Sequence, residues 1–453
     1  MTTSLLRQAA AAIILRPHPG DVSSGTPPAA AQLFDGLSHA TIRDADRAVI
    51  GFDREGMQKV AALAEMLRKT VPKYRRGVGA AEFVRQIASI VAAEFEGIKA
   101  DEIGEEHAAA LEEVVEGWFR KEAVPRRHYV PCAISPSPSE PISVGPVTFV
   151  HLANFGSHPL GVPEGDFVDE FAMEQLKNAM KERYASWIAI VDIDGCERSR
   201  SAELADLAVD IAIGALQLVV ELDQCRLMAR ISGRTSPPWR GNVLRENGGL
   251  VAGIQNLEAG RCLFGPYLVA VVERGKPVLD AAGKCLEGFL TGEGPIPKLR
   301  QAWCDAVYWF HEGLAEPLDS LAVAKLETAV EALLSTGSTS LSKQRMVQAI
   351  HAISGLGPKD QISGRSPTSV EGFVKMLVGA RSRVLHGTVS TLLCELAPER
   401  MDLAVLVHDL LTYFAQYLEV YSQESSGDDA ESLLAWAAAR REAAAQAAAG
   451  AAR

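Results

Sequence analysis

The chain lacks most of the features that assign a sequence at sight. Its 453 residues hold seven cysteines, scattered from Cys132 to Cys394 with no C-x-x-C pair. An odd, dispersed set argues against a disulfide scaffold or a structural zinc site and fits a reducing cytoplasm. Positive charge is also short: 45 Lys+Arg face 57 Asp+Glu, a formal net charge of −12. That balance disfavours a protein that coats nucleic acid by bulk charge, but leaves room for a small basic site. Long apolar runs are missing too. The opening MTTSLLRQAAAAIILRPHPG has one positive charge, Arg7, ahead of an apolar run that stops at Arg16 and Pro17, unlike a secretory signal. The longest apolar stretch, Leu204 to Val220, contains Asp206 and Asp210, which a membrane span tolerates poorly. The sequence therefore predicts a soluble, cytoplasmic protein with no membrane partner.

Familiar catalytic motifs are absent as well. There is no G-x-S-x-G elbow. GSTSLSKQR (337–345) lacks the second glycine before a Lys-Ser/Thr and follows a helical pattern, so it reads as a loop and helix N-cap. The ten histidines are dispersed; the nearest pair, His151 and His158, lacks the i,i+4 spacing that lets two imidazoles share a metal. Neither a metal site nor a cofactor is expected.

What is present is an ordinary globular composition, 47% hydrophobic and 23% charged, on a chain long enough for several domains. The fold class expected is multidomain, α and α+β. Residues 1–50, rich in Ala, Pro, Gly and Ser, predict little regular structure. Residues 51–125 repeat apolar positions every three to four residues and predict a helical region. Residues 126–290 carry short β-branched runs (HYVPCAI, ISVGPVTFVHL, WIAIVDI, Cys225–Ile231, YLVAVV) around a helix at 201–221, predicting an α+β domain with a mostly antiparallel sheet. Residues 291–425 show five helical patterns joined by loops and predict a bundle. The Ala-rich tail, 426–453, predicts an exposed helix that frays.

Positive charge gathers locally in RKTVPKYRR (68–76), RKEAVPRRH (120–128) and RLMARISGRTSPPWRGNVLR (226–245). In the last, Arg226, Arg230, Arg234, Arg240 and Arg245 with Trp239 form a candidate groove that tracks phosphates and stacks a base. The competing expectation is a solvated strand edge, which arginines also guard.

The informative stretch is VGARSRVLHGT, 378–388. Thr368 and Glu371 read as a capping box and Gly387 as a C-terminal stop. Phe373, Leu377, Ala380 and Val384 form one apolar stripe. His386 points away from it, with Ser382 one turn earlier, and Arg381 lies about 140° round from His386. Histidine moves protons near neutral pH and arginine offers a planar cationic fork to a phosphate, so the pairing suits phosphodiester chemistry. The spacing alone discriminates nothing, because Arg345 and His351 form a similar pair in the preceding helix.

RSRVLHG resembles the R-S-x-x-x-H-G signature of the HEPN superfamily, especially its Apea-like branch. AVYWFHEGLAEPL and AKLETAVEALLS resemble that branch's first two bundle helices, with Glu331 at a commonly acidic position. The resemblance covers about residues 295–425. It implies a four-helix bundle and a metal-independent endoribonuclease acting in stress or antiviral defence, as a toxin-like effector. The implied reaction is attack of an RNA 2′-OH on the adjacent phosphate, leaving a 2′,3′-cyclic phosphate and a 5′-OH. By resemblance His386 moves the proton, Arg381 stabilises phosphate charge, Ser382 completes the catalytic set, and Glu331 supports the arginine. Arg383 would bind substrate; apart from the resemblance, the candidate groove of Arg234, Arg240 and Trp239 in the α+β domain would bind RNA and feed it to the bundle. The site would be shared across a homodimer formed through the bundle, with the N-terminal region open to a regulatory partner. One departure is Ser382 itself: active members often carry Asn, Asp or His there, and serine does not titrate. The alternatives are a HEPN-like bundle that only binds a nucleotide, dimerises or serves as a scaffold, and a wholly structural pairing in which Arg381 meets Glu327 or Glu331 and His386 caps its helix.

Overall fold

A computed structural model of the chain describes residues 1–16, 35–42, 49–161, 167–232, 239–256, 258–362, 368–388, 390–393 and 395–451. It divides into two compact units, Met1–Arg126 with Ile193–Leu204, and Arg127–Asp192 with Ala205–Arg453. Helix predominates, and the strands that pair do so in small sheets.

The first unit holds α1 (Thr2–Ala10), β1 (Ile14–Arg16), β2 (His39–Ile42), β3 (Val49–Phe52), α2 (Arg54–Thr70), α3 (Pro72–Gly77), α4 (Ala80–Phe95) and α5 (Glu105–Glu122). The expectation of little structure before residue 50 needs correcting at both described pieces. Leu6 and Ala9 of α1 are fully buried against Leu63, Phe83 and Ile87, so a short apolar stripe is enough to hold the first helix. β1 and β2 flank β3 in an antiparallel three-stranded sheet. Asp53 starts α2 by accepting the Gly56 N–H at 2.8 Å, an N-cap bond.

Next along the chain come β4 (Arg126–Ala133), β5 (Ile142–Val144), β6 (Val147–His151), α6 (Leu152–Phe155), α7 (Phe167–Glu182), β7 (Trp187–Ile193), α8 (Arg198–Gln217), α9 (Leu222–Cys225) and β8 (Ala229–Arg230), all in the second unit except Arg126 and the stretch from Ile193 to Leu204. The five-stranded sheet runs β5-β6-β7-β4-β8, with β5–β6, β6–β7 and β4–β8 antiparallel. Alternation is lost on β7 because both of its faces are covered: Ile188 and Ile190 on one, Trp187, Ala189 and Val191 on the other, are all buried. The Trp187 indole N–H donates to the Ser135 carbonyl at 2.8 Å, so the largest ring in the sheet carries no unpaired donor.

β9 (Trp239–Glu246) and β10 (Gly249–Asn256) form a separate two-stranded hairpin. Its turn is Asn247-Gly248, both at positive φ (50° and 82°), as a two-residue hairpin turn requires. α10 (Gly265–Thr291) follows, and corrects a second expectation: YLVAVV is not a strand but the first turns of a 27-residue helix. Leu268, Val271, Gly275 and Val278 bury at helical spacing, a period that a six-residue β-branched run cannot display. Gly283 of α10 meets Gly145 backbone to backbone; a Cβ at Gly145 would lie 2.4 Å from the Gly283 carbonyl oxygen.

The remaining elements are α11 (Pro297–Ala315), α12 (Asp319–Leu333), α13 (Thr339–Ser354), β11 (Gln361–Ile362), β12 (Thr368–Ser369), α14 (Val370–Leu385), α15 (Ala397–Glu424) and α16 (Ala430–Ala451). All five helical patterns read after residue 295 form helices here. Trp303, Phe310, Leu326, Leu410 and Phe414 are buried within them, and the Trp303 indole donates to the Leu411 carbonyl at 3.0 Å. α11 and α12 approach closely at Gly313, where a Cβ would stand 2.8 Å from Leu326 Cγ. The tail is not simply exposed: Leu433, Leu434 and Ala437 are buried, and the Trp436 indole and Arg440 both bind Glu424. No helix among the described residues is long and apolar enough to cross a membrane.

Candidate functional site at the end of helix α14

The site is built by two helices. Glu327 and Glu331 stand i,i+4 on α12, hence on one face. Arg381 stands on α14, and its guanidinium lies between them. Nη1 and Nη2 donate to the two carboxylate oxygens of Glu331 at 3.3 and 2.9 Å, a bidentate pair. Nε lies 3.1 Å from Glu327 Oε2, close enough for an ion pair but not aligned as a hydrogen bond.

Burial separates the two carboxylates. Glu331 and Arg381 keep 19% and 22% of their side-chain surface in solvent, whereas Glu327 keeps none. Removal from water, reinforced by the Glu331 charge, pushes the Glu327 carboxyl up to about 7; Arg381 and the buried Ser342 hydroxyl pull the other way. Neither Glu327 oxygen receives an aligned hydrogen bond, which fits a group sharing a proton near neutrality. Glu327 and Ser342 were not among the residues expected to do chemistry. The i,i+4 Glu pair on one helix was the available signal.

The end of α14 is set by its C-cap. The Gly387 N–H reaches the Val384 carbonyl at 3.2 Å and the Thr388 N–H reaches the Arg383 carbonyl at 3.1 Å, a Schellman pair. Gly387 sits at φ 66°, so the predicted stop is the residue that turns the chain. His386 is the C-cap residue, its N–H bonded to the Ser382 carbonyl at 3.0 Å and its side chain exposed. Arg383 is exposed and Ser382 half-buried. At the other end the cap differs from the expected Thr368: the helix starts at Val370, so it is Ser369 whose hydroxyl accepts the Gly372 N–H at 3.1 Å. Leu377, Ala380 and Val384 are buried as the stripe predicts, while Phe373 is only half-buried.

The structure thus brings together Arg381, Glu331 and Glu327, and leaves His386 outside that cluster on the exposed helix end. The similar pair in α13 behaves otherwise. Arg345 donates to the Leu334 and Ser335 carbonyls at the end of α12, and His351 Nδ1 lies 3.3 Å from the Leu356 carbonyl. Those are cap contacts.

The other sequence candidates separate too. Arg230 does not line a phosphate groove: it is held bidentately by Asp210 at 2.8 and 3.0 Å and by Asp206 at 2.8 Å. The acids that broke up the apolar run of α8 are its partners. Arg234 lies outside the described residues; Trp239 and Arg240 are placed in β9 by their backbone alone. Arg226 and Arg245 are exposed. In the two earlier basic runs Lys73 and Arg120 pair with Glu116, and Arg127 with Asp192. His151 caps α6 through Nδ1, and burial lowers its affinity for a proton. Among the described residues no three His, Cys, Asp or Glu side chains are grouped to hold a metal ion.

Comparison with protein-family models, with curated proteins and with solved structures finds no match to this chain.

Proposed function

We propose that the helices from α11 to α15 are a HEPN-type bundle and that the chain is a metal-independent endoribonuclease. The reading is supported by one arrangement above others: an arginine fixed by two carboxylates of a neighbouring helix, five residues before an exposed histidine at a capped helix end. The solvent-side edge of Arg381, the one facing Glu331, exchanges its carboxylate for phosphate oxygens. Glu327, fully buried, keeps hold of Nε and so keeps the fork aimed.

In this mechanism one His386 imidazole takes the proton of the 2′-OH as its oxygen bonds to phosphorus. A second copy of the chain supplies the imidazole that protonates the departing 5′-oxygen as the P–O5′ bond breaks. Arg381 stabilises the charge that builds on the equatorial oxygens. Arg383 and Ser382 hold the strand. Such an enzyme acts on cellular or invading RNA as a stress or defence effector.

The ion pairing itself favours a second reading, in which the bundle binds a nucleotide or dimerises without catalysis, because Arg381 already has partners on every side. Labelled RNA incubated in EDTA separates the two. The nuclease gives 2′,3′-cyclic phosphate ends, and His386→Ala lowers the rate about 100-fold or more. Cleavage that is equal in wild type and His386→Ala refutes the assignment, and no cleavage by a folded wild type leaves the scaffold.

A further inference from the structure

The β9–β10 hairpin is exposed at every position from 241 to 253. Apolar side chains stand on both of its faces. Val243 and Leu250 lie on one, 67% and 78% exposed; Leu244 and Val251 pair across the other, 45% and 48% exposed. A lone two-stranded hairpin is marginal in water, and one with apolar faces exposed is a docking element or an aggregation hazard. Its turn is specified locally by Asn247-Gly248, so the arm is built as a hairpin although it has no core to cover.

The same unit carries an unmatched receptor. A groove of about 710 Å³ lies between α13, α14 and α15, with Ile353, Phe373, Met376, Met401 and Val405 among its walls. Three of these are large apolar side chains left in solvent: Met376 at 38%, Met401 at 45% and Val405 at 44%. Methionine walls accept irregular apolar shapes. Among the described residues the charged side chains lining the groove are acidic, Glu399, Asp402 and Asp409, the last also 3.1 Å from the His408 ring. The hairpin is complementary in sign: its sequence carries Arg240 and Arg245 against Glu246.

We propose that the β9–β10 arm of one copy docks in the α13–α14–α15 groove of a second copy, and reciprocally. The exchange is two-fold and closed, so it ends at a dimer. It buries both apolar surfaces and sets the arm's arginines against the acidic rim.

Light scattering on the purified full chain tests it. Wild type is expected at twice the chain mass of 48.5 kDa. Val243→Asp with Leu250→Asp on the arm, or Val405→Asp with Met376→Asp in the groove, is expected to halve that mass; Met401→Lys serves as a second groove variant. All of these positions are exposed, and circular dichroism checks that each variant stays folded. The decisive measurement is the mixture. Arm variant and groove variant together retain one intact arm and one intact groove, so a 1:1 heterodimer returns, weaker than wild type. A monomeric wild type, a groove variant that stays dimeric, or a mixture that stays monomeric overturns the proposal. So does an arm variant that keeps its mass but loses RNA binding, which would make RNA the occupant. His386→Ala keeps the wild-type mass, so this proposal and the cleavage reading fail separately.

Discussion

At the scale of single residues the informative group is Glu327. Burial raises its carboxyl from 4.5 to about 7, so the folded chain keeps this proton over a range where the unfolded chain has released it. The linked stabilisation is full below about 4.5 and is lost as the pH rises through about 7. Glu327→Gln carries no such proton. The stability of wild type relative to Glu327→Gln, measured by urea unfolding, should therefore fall between pH 5 and pH 8; a flat difference would contradict the raised value. Arg381→Ala leaves two carboxylates facing each other in a half-dry site and should cost about 3 kcal/mol near neutral pH. The cost should be smaller at pH 5, where Glu327 is protonated, and the same unfolding experiment reads it. Arg381→Lys should recover only part, since an ammonium cannot bridge Glu331 bidentately. Of these roles the sequence revealed the arginine, the histidine and Glu331, because each sits in a quotable pattern. Glu327 is legible in the sequence only as a partner for Arg381, since complete burial is a property of packing and not of spacing.

At the scale of elements the end of α14 shows how a site is aimed. Gly387 takes positive φ and closes the Schellman pair, and this fixes the residue at which the helix stops and His386 emerges. Gly387→Ala should destabilise by about 1 kcal/mol through left-handed strain. It should also lower RNA cleavage by more than that loss of folded protein explains, which activity and thermal melting on one preparation would compare. The helices from α11 to α15 are legible because their apolar residues recur at a helical period, although α11 buries more than one stripe, Phe310 to Leu314 without a break. The segments before residue 290 were less so. YLVAVV is too short to reveal its period, and α1 needs the far residues Leu63 and Phe83 to explain why it is held. The hairpin was missed although Asn247-Gly248 is the strongest local hairpin signal. The residues around the turn are exposed from 241 to 253, so no alternation of buried apolar positions marks its two strands.

At the scale of the molecule, the net charge of −12 and the basic runs resolve into pairs: Arg230 with Asp206 and Asp210, Lys73 and Arg120 with Glu116, Arg127 with Asp192. In the proposed nuclease, a chain that commits its arginines this way would meet RNA at a few positions, not over a broad face, so the exposed Arg383 and His386 would weigh more than the total suggests. The order of elements along the chain adds a consequence in time. The arm, residues 239–256, precedes α13, α14 and α15, the helices that form its receptor. During synthesis from the N-terminus an arm is therefore complete while its own chain still has no groove. The first receptors it can meet belong to finished copies, so partner choice is biased toward neighbours before self-capture is available. Exchange between molecules is then written into the sequence order itself.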